Sequence, residues 1–111
     1  MQRMGMTIRI RPERLEEYRR LHAAPWPAMD QALRDAGIRN YSIWLEEREM
    51  LLFGYWEYVG ADFQADMAAL GALPVTRDWL ALTDPCQEPM AAGERGWSFL
   101  PQVYLLAGRV V

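Results

Sequence analysis

The chain contains no lysine, one cysteine and one histidine among its 111 residues. All 12 basic residues are arginines, which excludes pyridoxal enzymes, Schiff-base chemistry and a lysine general base, since each needs a lysine amine. The single cysteine, Cys86, excludes a disulfide framework and favours a reducing compartment. One histidine and one cysteine are too few ligands for a zinc site of the usual kinds, so we expect no metal.

Charge and hydropathy narrow the class of protein further. A net charge of −3 and a pI near 5.1 predict no nucleic-acid partner. No apolar run approaches the ~20 residues of a membrane span, and no signal-peptide pattern opens the chain. We therefore expect no membrane association and a cytoplasmic location. With 111 residues, of which 51% are hydrophobic, the sequence predicts a single folded domain over residues 1–111.

Hydrophobic periodicity switches between strand and helix spacing along the chain. Period-two alternation predicts strands at residues 4–10 and 40–46. Residues 50–58 are apolar on both faces, which predicts a central strand joined to 40–46 as a hairpin, and residues 102–106 are predicted as the last strand. Helical spacing covers residues 12–22, 27–37, 61–70 and 74–82, and prolines open three of these four stretches. Residues 84–96 predict a loop. The order β-α-β-β-α-β is the ferredoxin-like plan of the α+β class, with each helical region broken in two.

The predicted hairpin strands are apolar on both faces, whereas the helices of this plan cover only one face of the sheet. An uncovered apolar face of that size is typical of an interaction surface. We therefore expect a homodimer that packs sheet against sheet.

His22 and Tyr18 are the main candidates for chemistry. Histidine is the only side chain that ordinarily changes charge near neutral pH, which suits it to general acid–base catalysis. The two residues are four apart on a predicted helix, so their side chains reach the same spot. The alternative is a core histidine whose ring nitrogens are satisfied by the backbone and by Tyr18.

Three further aromatic residues, Trp26, Tyr41 and Trp79, are candidates for ligand binding. Aromatic rings stack on the apolar faces of sugars and other flat ligands while their polar tips fix orientation. The alternative for each is packing in the core. Asp78 is added to this group because it directly precedes Trp79.

Several short motifs together resemble the L-rhamnose mutarotase family over most of the chain. Residues 16–22 contain the pattern E-x-Y-x-x-x-H, which includes Tyr18 and His22, and residues 25–27 read P-W-P. Asn40-Tyr41 follows, then R-x-W at residues 77–79 and T-D at residues 83–84. The spacing of tyrosine and histidine with the proline-bracketed tryptophan is the most specific part.

The resemblance implies a dimeric α+β barrel that changes the configuration at a sugar's anomeric carbon without a cofactor. It implies that His22 is the proton donor and that Tyr18, Tyr41 and Trp79 contact the sugar. The family has a second tryptophan before the one matching Trp79, where this chain has Asp78. A carboxylate there could accept hydrogen bonds from sugar hydroxyls, so the identity of the sugar stays open.

Two other classes of function remain compatible with the sequence. One is a cofactor-free monooxygenase or haem-degrading protein of the dimeric α+β barrel class, which would bind an aromatic or haem substrate. The other is a non-catalytic module that binds a small ligand, in which His22 is structural.

Overall fold

The computed structural model describes residues 1–108, which form one antiparallel sheet and a layer of helices. The strands are β1 (Gln2–Ile10), β2 (Ile38–Glu46), β3 (Leu51–Tyr58), β4 (Gln87–Glu88) and β5 (Ser98–Leu100). The helices are α1 (Leu15–Ala23), α2 (Pro27–Asp35), α3 (Phe63–Ala72) and α4 (Pro74–Thr83), with short 3-10 turns at Pro12–Arg14 and Asp84–Cys86. Within these 108 residues, no helix has the length and apolarity to cross a membrane.

The sheet confirms the predicted ferredoxin-like α+β fold. Its strand order is β2-β3-β1-β4, and β5 pairs with the same edge of β1 as β4 does. The predicted hairpin of β2 and β3 is present, and β3 pairs with β1 along nearly its whole length. Prolines begin α2 and α4, because proline suits the first turn of a helix, where its missing N–H has no partner to lose.

The predicted last strand, at residues 102–106, is wrong. These residues belong to no strand, and the edge of β1 is instead covered by β4 and β5, one inside the predicted 84–96 loop and the other after it. The chain leaves α4 beside Ile10 and returns to β1 at Ser98, which pairs with Thr7. Pro101 then follows β5 and lacks the N–H that would continue the ladder.

The core lies between the sheet and the helices in two clusters. The cluster on the sheet joins Ile8, Ile10, Tyr18, Leu52 and Cys86, and its alternating β1 residues are those that the period-two pattern predicts. The cluster among the helices joins Met29, Ala32, Leu70 and Trp79. Full burial of one large apolar side chain contributes ~1.5–3 kcal/mol, so these two clusters fix the helices on one face of the sheet.

In the part of the chain that the structure describes, the other face of the sheet carries no helix. Trp44 of β2 and Phe53 of β3 pair with each other there and are 67% and 40% exposed. The chain after β5 is also apolar and exposed, as at Val103 and Leu106. We call the Trp44 and Phe53 side of the sheet the open face.

Candidate active site

A cavity of about 690 Å³ opens between the helices and β2. His22 of α1, Leu33 of α2, Tyr41 and Ile43 of β2, and Trp79 of α4 are among the residues that line it. Four elements therefore contribute to one concave surface. Its volume lies in the range of roughly 300–1,000 Å³ that is typical of small-molecule sites.

A smaller cavity of about 280 Å³ also borders His22. Tyr18 and Leu15 of α1 line it, together with Ile43 of β2. His22 and Ile43 line both cavities. The histidine ring thus stands at the junction of two open spaces.

The His22 ring is held by its own helix. Its Nδ1 atom lies 2.9 Å from the backbone carbonyl oxygen of Tyr18, one turn earlier in α1. A carbonyl oxygen can only accept, so Nδ1 carries the proton and Nε2 is the ring nitrogen available to a ligand. The ring also stacks on Tyr18, with centroids 4.1 Å apart, and meets the Trp79 ring edge-on at 5.4 Å. Position, orientation and tautomer of His22 are all set by these contacts.

Tyr18 is buried, with 5% of its surface exposed. Among residues 1–108, no protein group hydrogen-bonds its hydroxyl, and Tyr18 lines the smaller cavity, so a ligand there could bind this hydroxyl. Burial raises the pKa of Tyr18 well above its usual value, and the nearby Tyr41 adds to the effect. The hydroxyl therefore stays protonated at neutral pH and can both donate and accept.

Tyr41 reaches the larger cavity from an irregular point of β2. The register of β2 on β3 shifts between Arg39 and Ser42, so that one extra residue is present there. The Tyr41 ring rests edge-on against Trp56 with centroids 5.0 Å apart. Although 36% of the residue is exposed, burial around its hydroxyl raises the pKa of Tyr41 to about 12.

Trp79 forms the far wall of the larger cavity, and Trp26 packs behind it. Trp79 is 9% exposed and lines the larger cavity. Trp26 packs edge-on against Trp79 at 5.1 Å and lines neither cavity, so it supports Trp79 from behind. The structure thus brings His22, Tyr18, Tyr41 and Trp79 to one site, with Trp26 one layer further out.

Comparison with known proteins identifies the family of this chain. The chain matches the family model for L-rhamnose mutarotase over residues 3–106. It belongs to the L-rhamnose mutarotase family. An L-rhamnose mutarotase of Sinorhizobium fredii is 37% identical over 95 residues, which cover 85% of this chain and 88% of that protein.

Solved structures show that the fold is shared more widely than the family. The crystal structure of an L-rhamnose mutarotase from Formosa agariphila superposes with a TM-score of 0.78 at 20% identity, covering 96% of this chain and 100% of that one. Tetracenomycin F2 cyclase from Streptomyces glaucescens superposes with a TM-score of 0.71 at 15% identity, covering 98% and 100%. At such low identities these two likenesses establish the fold alone.

The structure does not place Asp78, a predicted sugar-binding residue, at the site. It is exposed on α4 and lines neither cavity. Successive residues of a helix point about 100° apart, so the turn that directs Trp79 inward directs Asp78 away from the site. The sequence analysis grouped Asp78 with Trp79 because the two are adjacent, and adjacency in the sequence carries no information on direction.

Polar residues at the rim of the larger cavity were not found by sequence reasoning. Asp30 and Arg34 of α2 line it together with Arg39 and Asn40 of β2. Asp30 and Arg34 are one helical turn apart, a spacing that could have indicated a polar stripe beside the apolar one. Within residues 1–108, no group of three or more His, Cys, Asp or Glu side chains is placed to hold a metal ion.

Proposed function

We propose that this protein is a single-domain L-rhamnose mutarotase, an isomerase that interconverts the α and β anomers of the sugar without a cofactor. The observation that carries the proposal is His22, held with a free Nε2 atom at the junction of two cavities with aromatic walls. Membership of the family supports the same reaction.

The reaction needs only proton transfers. One group donates a proton to the ring oxygen while a base takes the proton of the anomeric hydroxyl, and the bond between C1 and the ring oxygen breaks. The open aldehyde turns about the C1–C2 bond and closes on its other face, which returns both protons. Each such general acid–base step is worth ~10²–10⁴-fold when the group is well positioned. In this proposal the protonated His22 ring gives its Nε2 proton to the ring oxygen.

The walls of the site suit a deoxy sugar. The Trp79 ring offers an apolar surface for the ring hydrogens and methyl group of L-rhamnose. The hydroxyls of Tyr18 and Tyr41 can donate to and accept from sugar hydroxyls. Asp78 has no part in binding under this proposal, because it faces away from the cavities.

We also propose that the protein acts as a homodimer in the cytoplasm. A second copy would cover the open face, where Trp44 and Phe53 are exposed, and the apolar chain after β5, where Val103 is 95% exposed. Exposed apolar surface of this extent is typical of an interface. The buried thiol of Cys86 is compatible with a reducing compartment.

Replacing His22 tests the proposed reaction. Anomer exchange of L-rhamnose is measured by saturation-transfer NMR between the two anomeric protons, and unfolding is followed by circular dichroism. His22→Ala should abolish the enzymatic exchange and leave a folded protein, since the ring is only partly buried. Gln31→Ala, on the exposed side of α2, is the control and should retain full activity.

Exchange that stays within threefold of the parent in His22→Ala would make His22 a structural residue. Sugar binding without accelerated exchange in the parent would indicate a binding module instead. If the parent protein binds haem in a titration and does not accelerate anomer exchange, the haem-degrading or monooxygenase class would be favoured.

A further inference from the structure

At the irregular point of β2, two residues of β2 lie opposite a single residue of β3. Arg39 pairs with Glu57 and Ser42 pairs with Tyr55, so Asn40 and Tyr41 together lie opposite Trp56. This arrangement is a β-bulge, which bends a strand and redirects a side chain. Bulges are frequent beside active sites, and both residues of this one, Asn40 and Tyr41, line the cavity.

The extra residue sets which face Tyr41 occupies. Ile38 pairs with Tyr58 and Ile43 pairs with Gly54, and both partners lie on the helix side of β3. In a regular strand, residues five apart point to opposite faces, because side chains alternate. The bulge absorbs one residue, so Ile38, Tyr41 and Ile43 all face the helices. Without it, Tyr41 and Ile38 could not both face the cavity.

Asn40 gives the bulge its shape. Its backbone adopts φ 51°, in the left-handed region where asparagine is among the few tolerated residues besides glycine. Its side-chain Nδ2 donates to Oε1 of Glu57 at 2.7 Å. The other oxygen of Glu57 accepts from the Tyr55 hydroxyl at 2.8 Å, so both oxygens of the carboxylate are engaged.

We propose that the hydrogen bond from Asn40 to Glu57 is a positioning clamp that holds the bulge and so aims Tyr41 into the cavity. The clamp acts through Tyr41: Asn40 borders the same cavity, but its side-chain amide donates to Glu57. Its effect on activity rests on the proposed function, because it assumes that Tyr41 binds the sugar.

Exchanging donor and acceptor tests the clamp. Asn40→Asp places a carboxylate against the carboxylate of Glu57 and should break the clamp. KM for L-rhamnose should then rise about tenfold while kcat stays within threefold of the parent. The reason is that Tyr41 is proposed to bind the sugar equally in the ground state and the transition state, and loss of such binding changes KM alone. The double variant Asn40→Asp with Glu57→Gln restores a hydrogen bond with reversed polarity. It should return KM to within threefold of the parent.

The Tyr41→Phe background separates positioning from direct contact. If the clamp acts through the Tyr41 hydroxyl, Asn40→Asp should change KM less than twofold in that background. An equal rise in KM in both backgrounds would overturn the proposal, since Asn40 would then act on the sugar by itself. Failure of the double variant to lower KM would also overturn it.

Two further variants guard against a general loss of folding. Asn40→Gly keeps the positive φ without strain but removes the amide, so it should raise KM although it folds; a parent-like KM would refute the clamp. The matched control is Gln31→Glu, which sets a carboxylate against Asp35 in an exposed hydrogen-bonded pair of α2. Its KM should equal that of the parent.

The clamp also has a readout that does not need catalysis. Nuclear Overhauser contacts between the rings of Tyr41 and Trp56 should weaken in Asn40→Asp and return in the double variant. If the parent exchanges no sugar but these contacts change as stated, the proposed function fails and the clamp stands. If the contacts persist in Asn40→Asp, the clamp fails whatever the activity.

Discussion

Removal of the Tyr18 hydroxyl distinguishes a ligand-binding residue from a core residue. Tyr18→Phe deletes one oxygen and keeps the ring, which is 5% exposed and stacks on His22 at 4.1 Å. The hydroxyl has no hydrogen-bond partner among residues 1–108, so the folded chain loses no internal hydrogen bond. We therefore expect the free energy of unfolding to change by less than about 1 kcal/mol, because the substitution leaves no partner group unpaired.

The effect on binding should be much larger. With Phe at this position, a sugar hydroxyl that is buried in the smaller cavity finds no partner. Leaving a buried polar group unpaired costs ~1–3 kcal/mol. At 1.4 kcal/mol for each factor of ten, this corresponds to a rise of roughly 5- to 150-fold in KM. Affinity and stability should thus respond differently to the same single atom.

The assay measures anomer exchange by saturation-transfer NMR over a series of L-rhamnose concentrations, and thermal unfolding of the same samples. Tyr58→Phe is the matched control. The Tyr58 residue is 4% exposed, its hydroxyl donates to Asp66, and it lines neither cavity. Loss of the Tyr58 hydroxyl should lower Tm and leave KM unchanged, which is the reverse of the pattern expected for Tyr18→Phe.

A Tyr18→Phe variant with lower Tm and parental KM would refute the reasoning. It would mean that the Tyr18 hydroxyl serves the fold and that the smaller cavity does not hold the sugar.

Three further expectations concern other parts of the molecule. Asp78→Trp should leave the relative activities on L-rhamnose and other hexoses unchanged, because Asp78 is exposed away from the cavities; a shift toward L-rhamnose would place it in the site. Phe53→Asp should shift the proposed dimer to monomer in sedimentation at micromolar concentration, and a parent that is itself monomeric would contradict the dimer. Stability should fall as pH rises from about 10 to about 12, because the pKa of Tyr41 is raised to about 12 in the folded chain and the unfolded chain releases that proton earlier. Tyr41→Phe should reduce that fall in denaturation curves, and an unchanged pH profile would show that Tyr41 is not its source.

Much of the local structure could be predicted from neighbouring residues. Alternation in β1 identified Ile8 and Ile10 as buried, and prolines marked where α2 and α4 begin. The i, i+4 spacing of Tyr18 and His22 placed both side chains together before any fold was known. These features depend on bond geometry and on spacing within one element, which the order of residues contains.

Other features were decided only when separate elements met. The apolar pattern of residues 102–106 suits a strand, but the free edge of β1 was taken by β4 and β5. Asp78 and Trp79 are adjacent in sequence, and only the packing of α4 on α2 decided which of them faces the site. A strand needs a free edge and a cavity needs facing walls, and both depend on residues far away in the chain. The sequence by itself therefore determined most of the elements and the proximity of Tyr18 and His22, whereas tertiary packing decided the edge pairing and the walls of the site.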